Sequence, residues 1–313
     1  MNRRLFLRSA LLSAAALPVT ARAGRAPYTP PRFRLSLAQW SLRERLRSGA
    51  LRTLDFPAVA RREFSIDAIE YVNTFFEGRE RSPRYLHDLG TRASDAGVTN
   101  VLVMVDLPGR DGHLAHADPA VRRYAADAHR RWIDVAHILG CRAIRVNAQG
   151  YEPAAFEQAQ TQFVHGLRLL AAHGRQAGVR ILVENHGGHS SHGEWLAGVM
   201  REVADDACGT LPDFGNFTID RETGLSYYPV RGLRDLMPFA GGVSAKAHDF
   251  GPDGLETTID YPAMLSVVIA SPFSGYIGIE WGGAGRALTP EAGILATRRL
   301  LTRLLGTDLA AGA

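Results

Sequence analysis

Residues 178–188 read Gly178-Val179-Arg180-Ile181-Leu182-Val183-Glu184-Asn185-His186-Gly187-Gly188. A glycine able to stop a helix comes first, then an apolar run of strand length, then an acid and a pair of glycines. The same grammar recurs on both sides. Gly97-Val98 and Gly140-Cys141 repeat the helix stop before a strand. Short apolar runs occur at Leu35–Trp40, Ala68–Val72, Val98–Val105, Ala143–Asn147, Arg180–Glu184, Thr210–Phe214, Val243–Ala247 and Tyr276–Trp281. Segments of helical spacing lie between them, such as Tyr124–Leu139 and Phe163–Ala177. Eight βα units in this order predict an α/β fold, a single-domain (β/α)₈ TIM barrel rather than an open doubly wound sheet. A dinucleotide- or nucleotide-binding sheet is further disfavoured by its missing glycines. No G-x-G-x-x-G follows the first strand, and no G-x-x-x-x-G-K-[ST] occurs anywhere.

In such a barrel the C-terminal strand ends converge on one mouth. Strands five to eight each deliver a ligand-type side chain there: Glu184, Asp213, His248 and Glu280. A carboxylate inside a barrel costs several kcal/mol unless it is paired or bound to a cation. Three close together repel, which raises at least one pKa unless a cation neutralises them. One divalent ion would resolve both problems. Three oxygens and one imidazole nitrogen favour Mn²⁺ or Co²⁺, with Mg²⁺ and Zn²⁺ also accommodated.

Lys246 is the one lysine of the chain; every other basic side chain is arginine. Arginine keeps its proton in proteins, whereas a lysine amine is tunable and carries a compact charge. Two residues before His248, Lys246 is expected on the same face of its strand, as an electrophile toward a substrate oxygen or a proton donor. Glu70 and Asn147 are further mouth candidates, offering hydrogen bonds to hydroxyl groups. His186 and Asn216 stand beside them, and Trp40 and Trp281 could stack on a ring face.

The chain opens with Arg3-Arg4-Leu5-Phe6-Leu7-Arg8, an apolar stretch Leu11 to Val19, and Ala21-Arg22-Ala23. This is the pattern of a twin-arginine export signal, expected to occupy residues 1–23, with residues 24–313 forming the barrel. The expected partner is the twin-arginine export machinery, and the expected destination the periplasm or the exterior. Removing Arg3, Arg4, Arg8 and Arg22 brings 36 basic residues down to 32, against 32 acidic ones. The mature chain is thus formally neutral, which argues against nucleic-acid or membrane-surface binding. Cys141 and Cys208 could pair in an oxidising compartment or remain buried thiols.

The motifs Val183-Glu184-Asn185-His186-Gly187-Gly188, Pro212-Asp213-Phe214-Gly215-Asn216, Ala245-Lys246-Ala247-His248-Asp249-Phe250 and Ile277-Gly278-Ile279-Glu280 resemble the sugar phosphate isomerase/epimerase family of xylose-isomerase-like barrels, its exported members in particular. The resemblance implies Glu184, Asp213, His248 and Glu280 as metal ligands. By the same analogy, Glu184 and Glu280 double as the acid/base pair. Ketose 3-epimerases of that family carry a histidine where this chain has Asn216. That departure shifts the expectation from simple epimerisation toward isomerisation or β-elimination of an unphosphorylated keto-sugar. A multi-histidine, three-zinc endonuclease site cannot be assembled from this sequence. A non-catalytic sugar-binding barrel and metal-dependent hydrolysis are the remaining alternatives; the oligomeric state is left open.

Overall fold

A computed structural model describes residues 31–152, 155–283 and 288–306. The proposed export signal lies outside these residues. The barrel unit begins at Arg32. Its strands are β1 (Phe33–Ala38), β2 (Ala68–Val72), β3 (Thr99–Met104), β4 (Ala143–Val146), β5 (Arg180–Glu184), β6 (Cys208–Leu211), β7 (Val243–Ala247) and β8 (Gly275–Trp281). All pair in parallel, in the order β6-β5-β4-β3-β2-β1-β8-β7. Two single parallel bridges, Thr210 to Ala240 and Asp213 to Ser244, bring β6 to β7 and complete the circuit. The expected single-domain (β/α)₈ barrel is the fold.

The helices are α1 (Arg43–Arg47), α2 (Phe56–Phe64), α3 (Pro83–Asp95), α4 (Pro119–Ile138), α5 (Phe156–Ala177), α6 (Gly193–Val203), α7 (Pro229–Leu236), α8 (Tyr261–Ala270) and α9 (Pro290–Leu305). Their boundaries follow local chemistry. Ser82, Asp118, Asp260 and Thr289 each accept a hydrogen bond from a backbone N–H in the first turn of the helix that follows. Pro83, Pro119 and Pro290 then occupy the first helical position, where no N–H is needed. The expected helix stops Gly97, Gly140 and Gly178 all have positive φ.

Two strands differ from the sequence expectation by more than one residue at their ends. The first strand ends at Ala38, because Gln39–Leu42 wind into a 3₁₀ turn. The sixth ends at Leu211, since Pro212 has no N–H to continue the ladder. Asp213 still aligns with Ser244, held by the Phe214 N–H donating to the Ser244 carbonyl at 3.0 Å. Cys141 and Cys208 are buried free thiols, so the disulfide alternative is not realised. No helix among the described residues is long and apolar enough to cross a membrane.

Candidate active site

The alternation of each strand decides which polar residues enter the barrel. Ser36 on β1, Glu70 on β2, Arg145 on β4, Glu184 on β5, Ser244 and Lys246 on β7 and Glu280 on β8 are all buried, as is Asp213 just beyond β6. One carboxylate oxygen from each of Glu184, Asp213 and Glu280 lies within 4.8 Å of the others, a triad that could hold a metal ion. The expected fourth ligand does not join it. β7 ends at Ala247, and Glu256 takes the backbone N–H groups of His248 and Asp249 at 3.0 and 3.2 Å. The His248 imidazole consequently lies half-buried against Gly282, its Nδ1 without a partner.

Lys246 enters the triad instead. Its Nζ is 2.8 Å from Glu280 Oε1 and 3.5 Å from Asp213 Oδ2, and it donates to Asn216 Oδ1 at 3.2 Å. The Asn216 amide then donates to Glu184 Oε1 at 3.0 Å. Asp213 has both oxygens engaged as well, by the Gly215 N–H at 2.8 Å and the Ser244 hydroxyl at 2.7 Å. Asn185 fixes the Asp213 backbone, accepting its N–H at 2.7 Å and donating to its carbonyl at 3.0 Å.

Arg145 supplies a second internal cation. Its Nε is 2.8 Å from Glu184 Oε2, yet neither atom has a hydrogen bond. The N–H is not aimed along that line, so this contact is an ion pair and leaves the oxygen open to a further donor. Arg145 also pairs with Asp106, which accepts from Asn147 at 2.9 Å. Sequence reading overlooked Arg145, although its alternation with Asn147 places both on one face of β4.

Glu70 lies deeper. The Ser36 hydroxyl donates to its Oε1 at 2.6 Å, and its Oε2 has no partner. Gly278 on β8 makes room for it, because a Cβ there would collide with the carboxylate.

These surroundings separate the proton affinities of the acids. Burial pushes Glu184 up to about 7, against the charge of Arg145 and assisted by that of Glu280. Burial likewise lifts Glu70 to about 7, partly offset by the Ser36 hydrogen bond, and Asp213 to about 6, opposed by Lys246. For Glu280 burial also acts upward, but the charge and hydrogen bond of Lys246 outweigh it and hold this carboxyl below its usual range. Burial alone would lower Lys246; Asp213, Glu280 and Glu184 together raise it, keeping the ammonium charged.

Whether this donor set fits a divalent ion turns on Lys246. An ion bridging the triad would share oxygens with the ammonium already among them. Two like unit charges about 4 Å apart near a protein surface repel by about 4 kcal/mol, and a divalent ion doubles the charge product. As arranged, the Lys246 ammonium stands among the oxygens a divalent ion would use, and the His248 imidazole is not among them.

The other expected contacts divide. Asn147 is buried at the mouth with its Oδ1 unpartnered, and His186 is exposed at the rim. Trp40 is half-buried, with Phe75 tilted against it at 6.3 Å and the guanidinium groups of Arg43 and Arg47 over its ring. Trp281 must be corrected as a ring-stacking residue. Next to inward-facing Glu280 it points out of the barrel, 1 % exposed, against Gly293 of α9 and stacked on Phe250.

A family model described as xylose isomerase-like TIM barrel matches residues 60–304. No curated protein matches the chain. Among solved structures, D-psicose 3-epimerase with D-tagatose from Clostridium cellulolyticum H10 is 11 % identical with TM-score 0.66, covering 87 % of this chain and 99 % of that one. A xylose isomerase-like TIM barrel protein from Mycobacterium smegmatis in complex with magnesium is 16 % identical with TM-score 0.63, covering 89 % and 98 %. The IOLI protein with a bound zinc atom is 15 % identical with TM-score 0.64, covering 87 % and 98 %. At such identities the likeness is one of fold.

Proposed function

Because the chain belongs to the xylose isomerase-like TIM barrel family, we propose that it is an enzyme of the sugar isomerase/epimerase type, acting on an unphosphorylated sugar or keto-sugar through an enediolate. The observation that carries this reading is the pair Glu184 and Glu280. They are buried carboxyls of one triad whose surroundings push their proton affinities in opposite directions. Glu280, kept ionised by Lys246, is suited to take a proton from the carbon beside a carbonyl. Glu184, poised near neutrality, is suited to hold or return one. The Lys246 ammonium is suited to stabilise an oxyanion, and Glu184 Oε2, which has no hydrogen bond, to accept from a neighbouring hydroxyl. Asn147, whose Oδ1 has no partner, and His186 are the candidates to contact further hydroxyls, while the Asn216 amide is engaged by Lys246 and Glu184.

The test is exchange of the α-proton of candidate keto-sugars in D₂O, followed by NMR. Wild-type protein should wash in deuterium. Glu184→Gln and Glu280→Gln should each lower the rate by about 10²–10⁴-fold. Absence of exchange with every keto-sugar tried would sink the enolisation reading.

A second outcome of the same enediolate is β-elimination. Glu70 favours it, since a carboxyl that stays protonated up to about 7 could give a proton to a departing hydroxyl. The twin-arginine pattern at residues 3–8 supports export to the periplasm or exterior, where sugar phosphates are scarce.

A further inference from the structure

We infer that Lys246 is the resident cation of this site and that the enzyme works without a divalent metal. The inference deepens the enolisation reading and rests on it for the chemistry, though not for the cation. The ammonium donates to Asn216 Oδ1 at 3.2 Å and is ion-paired with Glu280 Oε1 at 2.8 Å and Asp213 Oδ2 at 3.5 Å. Two of these belong to carboxylates of the metal-type triad, and the third ligand, Glu184, is tied in through the Asn216 amide at 3.0 Å. The ammonium therefore contacts or is bridged to every carboxylate that an ion would use.

The position is built rather than incidental. Gly215 leaves space for the lysine stem, since a Cβ there would approach Lys246 Cδ at 3.2 Å. The Tyr261 hydroxyl fixes the backbone on either side, contacting the Ala245 and Lys246 carbonyls at 3.0 and 2.9 Å. Two singular features of the sequence thereby become one device. The single lysine and the asparagine at 216 depend on each other, because Asn216 accepts from the ammonium and donates to Glu184. Arg145 supplies the other internal cation on the far oxygen of Glu184.

The test is a Mn²⁺ titration of chelator-stripped mature protein, with bound metal measured directly, on wild type, Lys246→Ala and Lys246→Met. Thermal melts establish that each variant is folded; methionine preserves the stem packing should alanine disturb it. Wild type should bind no Mn²⁺ up to about 1 mM. At least one folded variant should gain a single site at least about tenfold tighter, lost again on adding Glu280→Gln. A wild type that binds one Mn²⁺ at about 10 μM or tighter, through Glu280, would overturn the inference. So would folded variants that both remain metal-free.

Deuterium exchange with a keto-sugar in excess EDTA separates this idea from the activity. Exchange that persists in chelator supports the resident cation, and exchange that appears only with added Mn²⁺ refutes it. If no sugar exchanges under any condition, the proposed reaction fails while the titration still decides the cation.

Discussion

Glu70 shows how one buried side chain can govern behaviour with pH. Its carboxyl is 2 % exposed, is held by Ser36 alone, and is pushed up to about 7 by burial. A carboxyl raised in the folded state binds more protons folded than unfolded. Its contribution to stability is therefore full below the ordinary value of 4.5 and falls as pH rises toward 7. Glu70→Gln removes the ionisation while keeping an acceptor for Ser36. The variant should gain on the wild type between pH 5 and pH 8, by at most about 3 kcal/mol at the upper end. Melting curves across that range check it; a variant that loses ground as pH rises would show that Glu70 is ionised and stabilised in the fold. Glu184 and Asp213 slope the same way, up to about 7 and about 6, whereas Glu280 opposes them.

At the scale of elements, the contact between β8 and α9 settles the fate of Trp281. Its ring lies flat on Gly293, and a Cβ there would fall inside the indole. Helix propensity alone would make Gly293→Ala favourable by about 1 kcal/mol. Overpacking a rigid buried ring costs about 1–3 kcal/mol, so the clash should win. The variant is expected to be destabilised in denaturant titration with an unchanged slope. An increase in stability would mean that α9 can slide on the barrel. A comparable economy holds between β5 and β6, where the Asn185 side chain replaces the ladder that Pro212 interrupts. That bridge keeps Asp213 in register with Ser244 across the closure of the barrel.

Over the whole molecule, charge and address belong together. The chain's formal charge of +4 comes from the four arginines of residues 1–23, and residues 24–313 are balanced at 32 basic to 32 acidic. Export by the proposed route depends on the arginine pair itself, since arginine and lysine are not interchangeable in such recognition. Replacing Arg3 and Arg4 together by lysine should trap the protein in the cytoplasm, as measured by cell fractionation. Unchanged export would reject the twin-arginine reading.

The sequence by itself determined the periodicity of eight strands and their helices, because helix stops, caps and apolar runs are local physics. It also placed acids at the ends of strands five, six and eight, and it marked Lys246 and Asn216 as singular. It could not show that the last two touch, since they lie 30 residues apart and meet only when β6 and β7 close the barrel. Tertiary structure likewise decided that His248 falls away from the triad, through the hold of Glu256 on its backbone. It turned Trp281 outward against α9 and brought Arg145 in beside Glu184. The four-ligand metal site read from strand ends thus becomes three carboxylates gathered around a lysine. A strand's sequence gives the face of each side chain, but only barrel closure gives its neighbours across the mouth.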